Sequence, residues 1–266
     1  MPKVMLDAGH HGKYYNPSPV VDGYYESQMA WDLQGYLKTA LERYDIEVGT
    51  TRTDIDDDPE VTRRGRKGEG YDLLISLHSN ARDDRTKDRV AIYYQVPNKE
   101  EYSKVSEKLA NILAPILNDT MECKNRWKTA YKRYSMGSNK DYYGVLRGAA
   151  YVDCPAMIIE HSYHTNERAT RWLMNQKNLA TLAKIEAQTI AKFFGIIEPH
   201  PLGDVDGDGK VTIKDYVMCK RIVLGTYKPT KDEFRRADVN GDGKVSAVDY
   251  AIIKRIALGT KKIDKK

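Results

Sequence analysis

The chain has 266 residues, 41% of them hydrophobic, and a formal net charge of +5 from 43 Lys and Arg against 38 Asp and Glu. That is room for one sizeable α/β domain and a small module, and a composition that excludes wholesale disorder. No apolar run reaches the ~18 residues of a membrane span, and three scattered cysteines (Cys123, Cys154, Cys219) make neither a disulfide framework nor a thiolate zinc site.

Met1-Pro2 runs directly into Lys3–Leu6, which reads as a short buried strand. With no leader in view, the chain is either cytoplasmic or has been trimmed of a signal peptide. The Gly9 to Gly12 segment must turn sharply, which leaves His10 at the carboxyl end of the strand, where open α/β sheets place their sites. After an irregular Asn16-Pro-Ser-Pro19 comes a helix from Glu26 to Leu41, its apolar face Met29/Ala30, Leu33, Leu37 and Ala40/Leu41 at three-four spacing. Glu26 falls on the same stripe. A carboxylate facing a core must be paired, protonated or metal-bound, whereas a first-turn acid can simply serve the helix N-terminus; position alone leaves both open.

Ile46–Thr51 is the second strand, followed by an acidic loop (Asp54–Glu60) and a short basic helix (Val61–Lys67). The strand Asp72–Leu77 runs into His78, Val90–Val96 is another strand, and Glu101–Met121 is an amphipathic helix on Val105, Leu109, Ile112/Leu113 and Ile116/Leu117. Pro115 within it should kink or split it. Cys123–Lys140 is basic, with Trp127, Tyr131 and Tyr134 interleaved. It reads as a solvated loop over packed aromatics, with a substrate-lining wall or a nucleic-acid patch as the other possibilities; no nucleic-acid partner is expected. The strand Pro155–Ile159 runs into Glu160, and Asn178–Phe194 is a closing helix ended by Gly195. Strands alternating with helices predict an α/β domain over residues 1–197, with a mixed, mostly parallel central sheet and helices on both faces. Residues 198–203, with Glu198-Pro-His-Pro201, read as a stiff linker to a small all-α domain over 204–266.

Three apolar strands thus end in His10, His78 and Glu160. Two imidazoles and a carboxylate are good zinc ligands, and a catalytic zinc keeps three protein ligands with one position for water. His10, Glu26 and His78 are the candidate set for one zinc ion, with Glu160 as the acid/base that takes a proton from the water and passes it to a leaving nitrogen. His11 reads as a supporting or surface residue. His161 and His164 read as structural, with binding of a leaving-group or carbonyl oxygen as the alternative.

The ordered set Leu6-Asp-Ala-Gly-His10, Glu26 at the head of a helix, Ser76-Leu-His-Ser-Asn-Ala81, Val145-Leu-Arg147 and Ile159-Glu160 with Asn166 resembles the type 3 zinc-dependent N-acetylmuramoyl-L-alanine amidases over residues 3–195. The resemblance implies His10, Glu26 and His78 as zinc ligands, Glu160 as catalytic acid/base, and Asn80 and Arg147 as substrate contacts. It implies cleavage of the amide between the muramic lactyl group and L-alanine of peptidoglycan, on a mixed sheet with flanking helices. The chain departs from the family in the His-Ser-Tyr-His after Glu160 and in a short Gly-rich stretch between Arg63 and Asp72. A related zinc hydrolase on another wall amide and a non-catalytic wall-binding protein are the competing readings.

Asp204-Val-Asp-Gly-Asp-Gly-Lys-Val-Thr-Ile-Lys-Asp215 recurs 34 residues on as Asp238-Val-Asn-Gly-Asp-Gly-Lys-Val-Ser-Ala-Val-Asp249. Oxygen side chains at loop positions 1, 3 and 5 (Asp204, Asp206, Asp208; Asp238, Asn240, Asp242), Gly at 6 and a carboxylate at 12 (Asp215; Asp249) match a Ca²⁺ loop. Lys210 and Lys244 at position 7 would add backbone carbonyls, and Thr212 and Ser246 would act through water. Two structural calcium ions are expected. Each loop leads into a helix, Tyr216–Leu224 and Tyr250–Leu258, and the prolines before the first loop leave a loop–helix duplicate. This resembles a dockerin, the cohesin-binding module of cellulosome-type enzymes. The resemblance implies a cohesin partner on a scaffold, contacts near Ile213/Lys214 and Ala247/Val248, and secretion; because the two copies differ there, a symmetric dual binding mode is not expected.

Overall fold

The structure, a computed structural model, describes residues 1–96, 100–125, 129–196 and 201–260. The chain divides into two compact units, one of Met1–Glu42 and Ile46–Ile197, the other of Arg43–Asp45 and Glu198–Lys266.

In the first unit β1 (Lys3–Ala8), β2 (Glu47–Thr50), β3 (Leu73–Asn80), β4 (Ala91–Tyr94), β5 (Ala130–Tyr131) and β6 (Ala156–Tyr163) pair in the order β2-β1-β3-β6-β4-β5. β2, β1, β3 and β6 are parallel, β4 is antiparallel to β6, and β5 runs parallel to β4, so the sheet is mixed and mostly parallel. Its central strands are apolar on both faces, as a doubly covered sheet requires. Val4, Leu6, Leu73, Ile75, Leu77 and Ile159 are fully buried, and the alternate residues Met5, Leu74, Ala156 and Ile158 form a separate cluster with Val145, Leu146 and Ala149.

The helices of this unit are α1 (Glu26–Glu42), α2 (Val61–Arg66), α3 (Glu100–Thr120), α4 (Gly144–Tyr151), α5 (Glu167–Met174) and α6 (Gln176–Phe193). α4 supplies the cluster over Met5, Leu74 and Ile158, and α2 packs on α4. Their approach is backbone to backbone. A methyl group on Gly65 would collide with the Val145 carbonyl, and one on Gly148 with the Thr62 carbonyl.

Several local expectations change. α3 passes through Pro115 as one helix rather than splitting, because the buried row Leu109, Leu113 and Leu117 holds it against the core despite one lost backbone bond. β3 and β6 run on to Asn80 and Tyr163, so His78 and Glu160 are paired strand residues and not loop residues. Val145–Arg147 lies within a helix, and α5 and β5 carry no strong sequence signal. Trp127 and residues 198–200 of the expected linker lie outside the described residues.

The second unit has α7 (Ile213–Val223), α8 (Lys231–Ala237) and α9 (Ala247–Ala257) around a small core of Val205, Cys219, Ala237 and Ile253. Each helix opens with a capping box: Thr212 with Asp215, Thr230 with Glu233 and Ser246 with Asp249. The second repeat is therefore helix–loop–helix, not the expected loop–helix, because Thr230 and Glu233 start a helix just after Pro229.

Candidate metal centre and acid/base pair

The end of β1 is pinned before it turns. Gly9 donates its N–H to the Leu77 carbonyl at 2.9 Å, and a side chain at Gly9 would collide with the His78 ring. Arg64 of α2 donates to the Ala8 carbonyl at 2.5 Å and to the His10 carbonyl at 3.3 Å. His10 itself sits at φ 59°, a strained backbone for a non-glycine residue at the site. Across the turn, α1 begins at Glu26, whose N–H donates to the Asn16 carbonyl at 3.0 Å.

These constraints bring His10, Glu26 and His78 together, each with a ligand atom within 4.8 Å of the others. Nε2 of His10 is 3.1 Å from Oε2 of Glu26, and Nδ1 of His78 is 3.0 Å from Oε1. Glu26 is 2% exposed, so it is an inward carboxylate and not only a helix-end acid. Burial raises its pKa, but the close approach of His10 and His78 outweighs that and holds the carboxyl well below its usual range. Asn16 donates to both Glu26 Oε2 (2.9 Å) and His10 Nε2 (3.1 Å).

The proton on His78 is set from behind. Asp7, 1% exposed, accepts from Arg64 Nε at 2.7 Å, from Thr51 and from Ser76 Oγ at 2.6 Å. Burial alone would raise the Asp7 pKa, but the Arg64 charge and these bonds bring it down, so it is an ionised acceptor. Ser76 has one hydroxyl hydrogen and gives it to Asp7; it must therefore accept from His78 Nε2, 3.1 Å away. Nδ1 of His78 is left as a lone pair aimed at an ionised Glu26 oxygen. Burial pushes the His78 imidazole down, against the pull of Glu26, which favours the neutral ring. A lone pair and a carboxylate facing each other at 3.0 Å repel, and a cation among the three groups turns that repulsion into coordination. The donor set fits a divalent metal with nitrogen and oxygen ligands.

Glu160 is the register partner of His78 on the neighbouring strand, so both side chains leave the same face of the sheet. Its Oε2 is buried without a hydrogen-bond partner. Burial, and then the charge of Glu26, push its carboxyl well above the usual range. His10, Glu26, His78 and Glu160 line one cavity of about 370 Å³, walled by Val61, Tyr143, Val145 and Ile158.

The other candidates divide. Asn80 lines the cavity, with its Oδ1 taking the Ala81 N–H at 2.9 Å. Arg147 does not reach it: the guanidinium donates to the carbonyls of Asp141 (2.9 Å) and Tyr142 (2.7 Å) and lines a different pocket. The cause is its place on α4, where it ties down the loop before Tyr143. His11 is a surface residue 3.3 Å from Asp58. His161 is fully buried between the His78 carbonyl (3.0 Å) and Glu186 (2.7 Å), a structural residue beneath the site. His164 is on the cavity wall. Sequence reasoning missed Asp7, Asn16, Arg64 and Ser76. Ser76 had a signal, since it lies two residues before His78 on a strand and so shares its face.

In the second unit Asp204, Asp206 and Asp208 gather within 4.8 Å. Asp204 takes the N–H groups of Asp208 (3.0 Å) and Gly209 (2.8 Å), and Asp215 takes those of Asp206 (3.2 Å) and Thr212 (2.7 Å). The second loop repeats this: Asp238 takes Gly241 (2.9 Å) and Gly243 (2.8 Å), and Asp249 takes Asn240 (3.3 Å) and Ser246 (2.8 Å). Asn240 and Asp242 face each other at 2.9 Å, and the Lys210 and Lys244 N–H groups donate to Asp208 and Asp242. Burial raises the Asp206 carboxyl, and the charges of Asp215, Asp208 and Asp204 add to it; a cation in the loop relieves that crowding.

A search of curated proteins found no match. Among solved structures the chain is similar to Cwp6 from Clostridium difficile (23% identity, TM-score 0.62), covering 72% of this chain and only 29% of that one. It is similar to the catalytic domain of CwlV, an N-acetylmuramoyl-L-alanine amidase from Bacillus (Paenibacillus) polymyxa var. colistinus, at 22% identity and TM-score 0.57, covering 74% of this chain and 99% of that one. An N-acetylmuramoyl-L-alanine amidase from Clostridium difficile 630 matches at 21% identity and TM-score 0.61, over 73% of this chain and 97% of that one. At such identities the likeness is one of fold. A family model for N-acetylmuramoyl-L-alanine amidases matches residues 4–192, and one for type I dockerin domains matches residues 202–257. The chain therefore belongs to the N-acetylmuramoyl-L-alanine amidase family and carries a C-terminal type I dockerin domain.

Proposed function

We propose that the chain hydrolyses the amide between the muramic lactyl group and L-alanine of peptidoglycan, with zinc held by His10, Glu26 and His78 and with Glu160 as acid/base. One observation carries the reading: in a member of this family, a His-Glu-His trio shares a cavity with a carboxyl whose second oxygen has no partner. When bound, the zinc supplies an acidified water and polarises the scissile carbonyl. Glu160 takes the water's proton and delivers it to the leaving nitrogen; its raised carboxyl suits a group that must both take and give. Asp7 and Ser76 hold His78 in the tautomer that presents Nδ1. Val61, Val145 and Ile158 give the cavity an apolar side beside these polar groups.

The test is Glu160→Gln. Zinc content should stay at one per chain while release of L-alanine N-termini from cell walls falls by about 10² or more. Undiminished release would remove Glu160 from the role; no release by the zinc-loaded parent would remove the substrate.

The dockerin reading gives the second unit two calcium ions, at Asp204, Asp206, Asp208, Lys210 and Asp215 and at Asp238, Asn240, Asp242, Lys244 and Asp249, and a cohesin domain as partner. Exposed Ile213 and Val217 on α7 and Val248 on α9 are apolar contact residues beside exposed lysines, which supports a docking role. A wall amidase carried on a cohesin scaffold works outside the cell or at its surface. Among the described residues no helix is long and apolar enough to cross a membrane.

A further inference from the structure

His164 is the imidazole this mechanism leaves unused. It is 5% exposed and lines the cavity with Glu26, His78 and Glu160. Its Nδ1 lies 3.1 Å from the Ser79 carbonyl, 2.9 Å from Ser79 Oγ and 3.8 Å from Glu26 Oε2. The carbonyl and the carboxylate can only accept, so the ring proton is on Nδ1. The Tyr24 hydroxyl, 2.7 Å from Ser79 Oγ and buried, closes the network. Nε2 is then a lone pair, and none of the described residues donates to it.

The mutually close ligand atoms belong to His10, Glu26 and His78, so this ring is not one of the candidate metal ligands. Of the other polar groups of the wall, Glu160 has an unpartnered oxygen but is kept for the proton transfer, while Asn80 and Tyr143 each accept one bond already. Asn80 Oδ1 takes the Ala81 N–H, and the Tyr143 hydroxyl takes an N–H of Arg133 at 3.1 Å. An amide bond entering the cavity brings both an acceptor and a donor. Its carbonyl oxygen would go to the cation when one is bound, whereas its N–H needs an acceptor of its own.

We propose that His164 Nε2 accepts the N–H of the scissile amide and so positions the leaving nitrogen in the cavity that Glu160 lines. The inference rests on the amidase reading. It makes His164 a substrate-positioning residue chosen for its acceptor and not for its bulk.

The experiment compares a muropeptide with its ester analogue, in which oxygen replaces the scissile N–H, on the zinc-loaded parent, His164→Leu and His164→Gln. With the amide, His164→Leu should lose about tenfold in kcat/KM, the value of one neutral hydrogen bond, and His164→Gln, which keeps an acceptor, should recover most of it. With the ester, all three should agree within about threefold. Zinc affinity by chelator competition should match in all three, and the zinc-free parent should bind the amide several-fold tighter than zinc-free His164→Leu. Equal losses on amide and ester, or a zinc affinity that falls with activity, would overturn the role of His164 alone. A parent that cleaves neither substrate would overturn the amidase reading and this inference together.

Discussion

Ser76→Ala is the sharpest test of how the metal centre is built. Ser76 is fully buried, and its hydroxyl joins Asp7 at 2.6 Å to His78 at 3.1 Å. No water can take its place without a new cavity. Asp7 keeps Arg64 and Thr51, so its charge remains paired and the loss there is one bond among several. The His78 Nε2–H loses the one acceptor it has among the described residues, at a cost of about 1–3 kcal/mol for a buried orphan donor. The ring can escape that cost by moving its proton to Nδ1, which blocks the lone pair that faces Glu26. Either outcome weakens metal binding. An outer partner of this kind is worth about 10–100-fold in affinity, or roughly 1.4–2.7 kcal/mol. The assay is zinc competition against a fluorescent chelator, with circular dichroism to show the fold is intact. A folded Ser76→Ala that holds zinc within about threefold of the parent would refute the relay.

Asp141 is a second, independent target. Burial pushes its carboxyl up to about 6, against a hydrogen bond from the Val96 N–H and the charge of Arg147. The folded state thus favours the protonated acid. Its contribution is full below pH ~4, shrinks as pH rises from there to about 6 and is absent above it, a difference of up to about 3 kcal/mol. Asp141→Asn keeps the oxygen that accepts from Val96 and should raise the melting temperature at pH 8 but not at pH 4; equal effects at both would contradict the burial argument. Gly148→Ala should destabilise the catalytic unit by about 2 kcal/mol and lower its midpoint by roughly 4–8 °C, since the new methyl meets the Thr62 backbone and helix propensity repays only part; a calorimetric scan decides it. Calcium removal should loosen residues 204–259 while residues 4–192 keep their own transition, because four buried apolar side chains are a small core and each loop site adds about 4 kcal/mol at a thousandfold excess over Kd. A melting profile that EDTA-type calcium chelators leave unchanged would count against calcium in the loops.

The alternation of short apolar runs with amphipathic helices already spelled out a helix-covered sheet, because side-chain periodicity is a local property of the chain. The repeated Asp-Gly loops were equally plain, since their ligands, turn and closing carboxylate all lie within twelve consecutive residues. His10, His78 and Glu160 stood out at the ends of strands, and Glu26 on an inward stripe. What no local pattern contained was the chemistry between elements. Asp7 meets Ser76 only because β1 and β3 pair, and Arg64 reaches Asp7 and the His10 carbonyl only because α2 folds over the turn at His10. Arg147 shows the reverse: a cation near the right motif was turned away by the helix that carries it. Residue types and spacing by themselves determined the two-unit plan and the candidate groups. Only the tertiary structure decided which proton sits on His78, which acid stays unpartnered and which imidazole faces the cavity, because those depend on distances of about 3 Å between strands and helices dozens of residues apart.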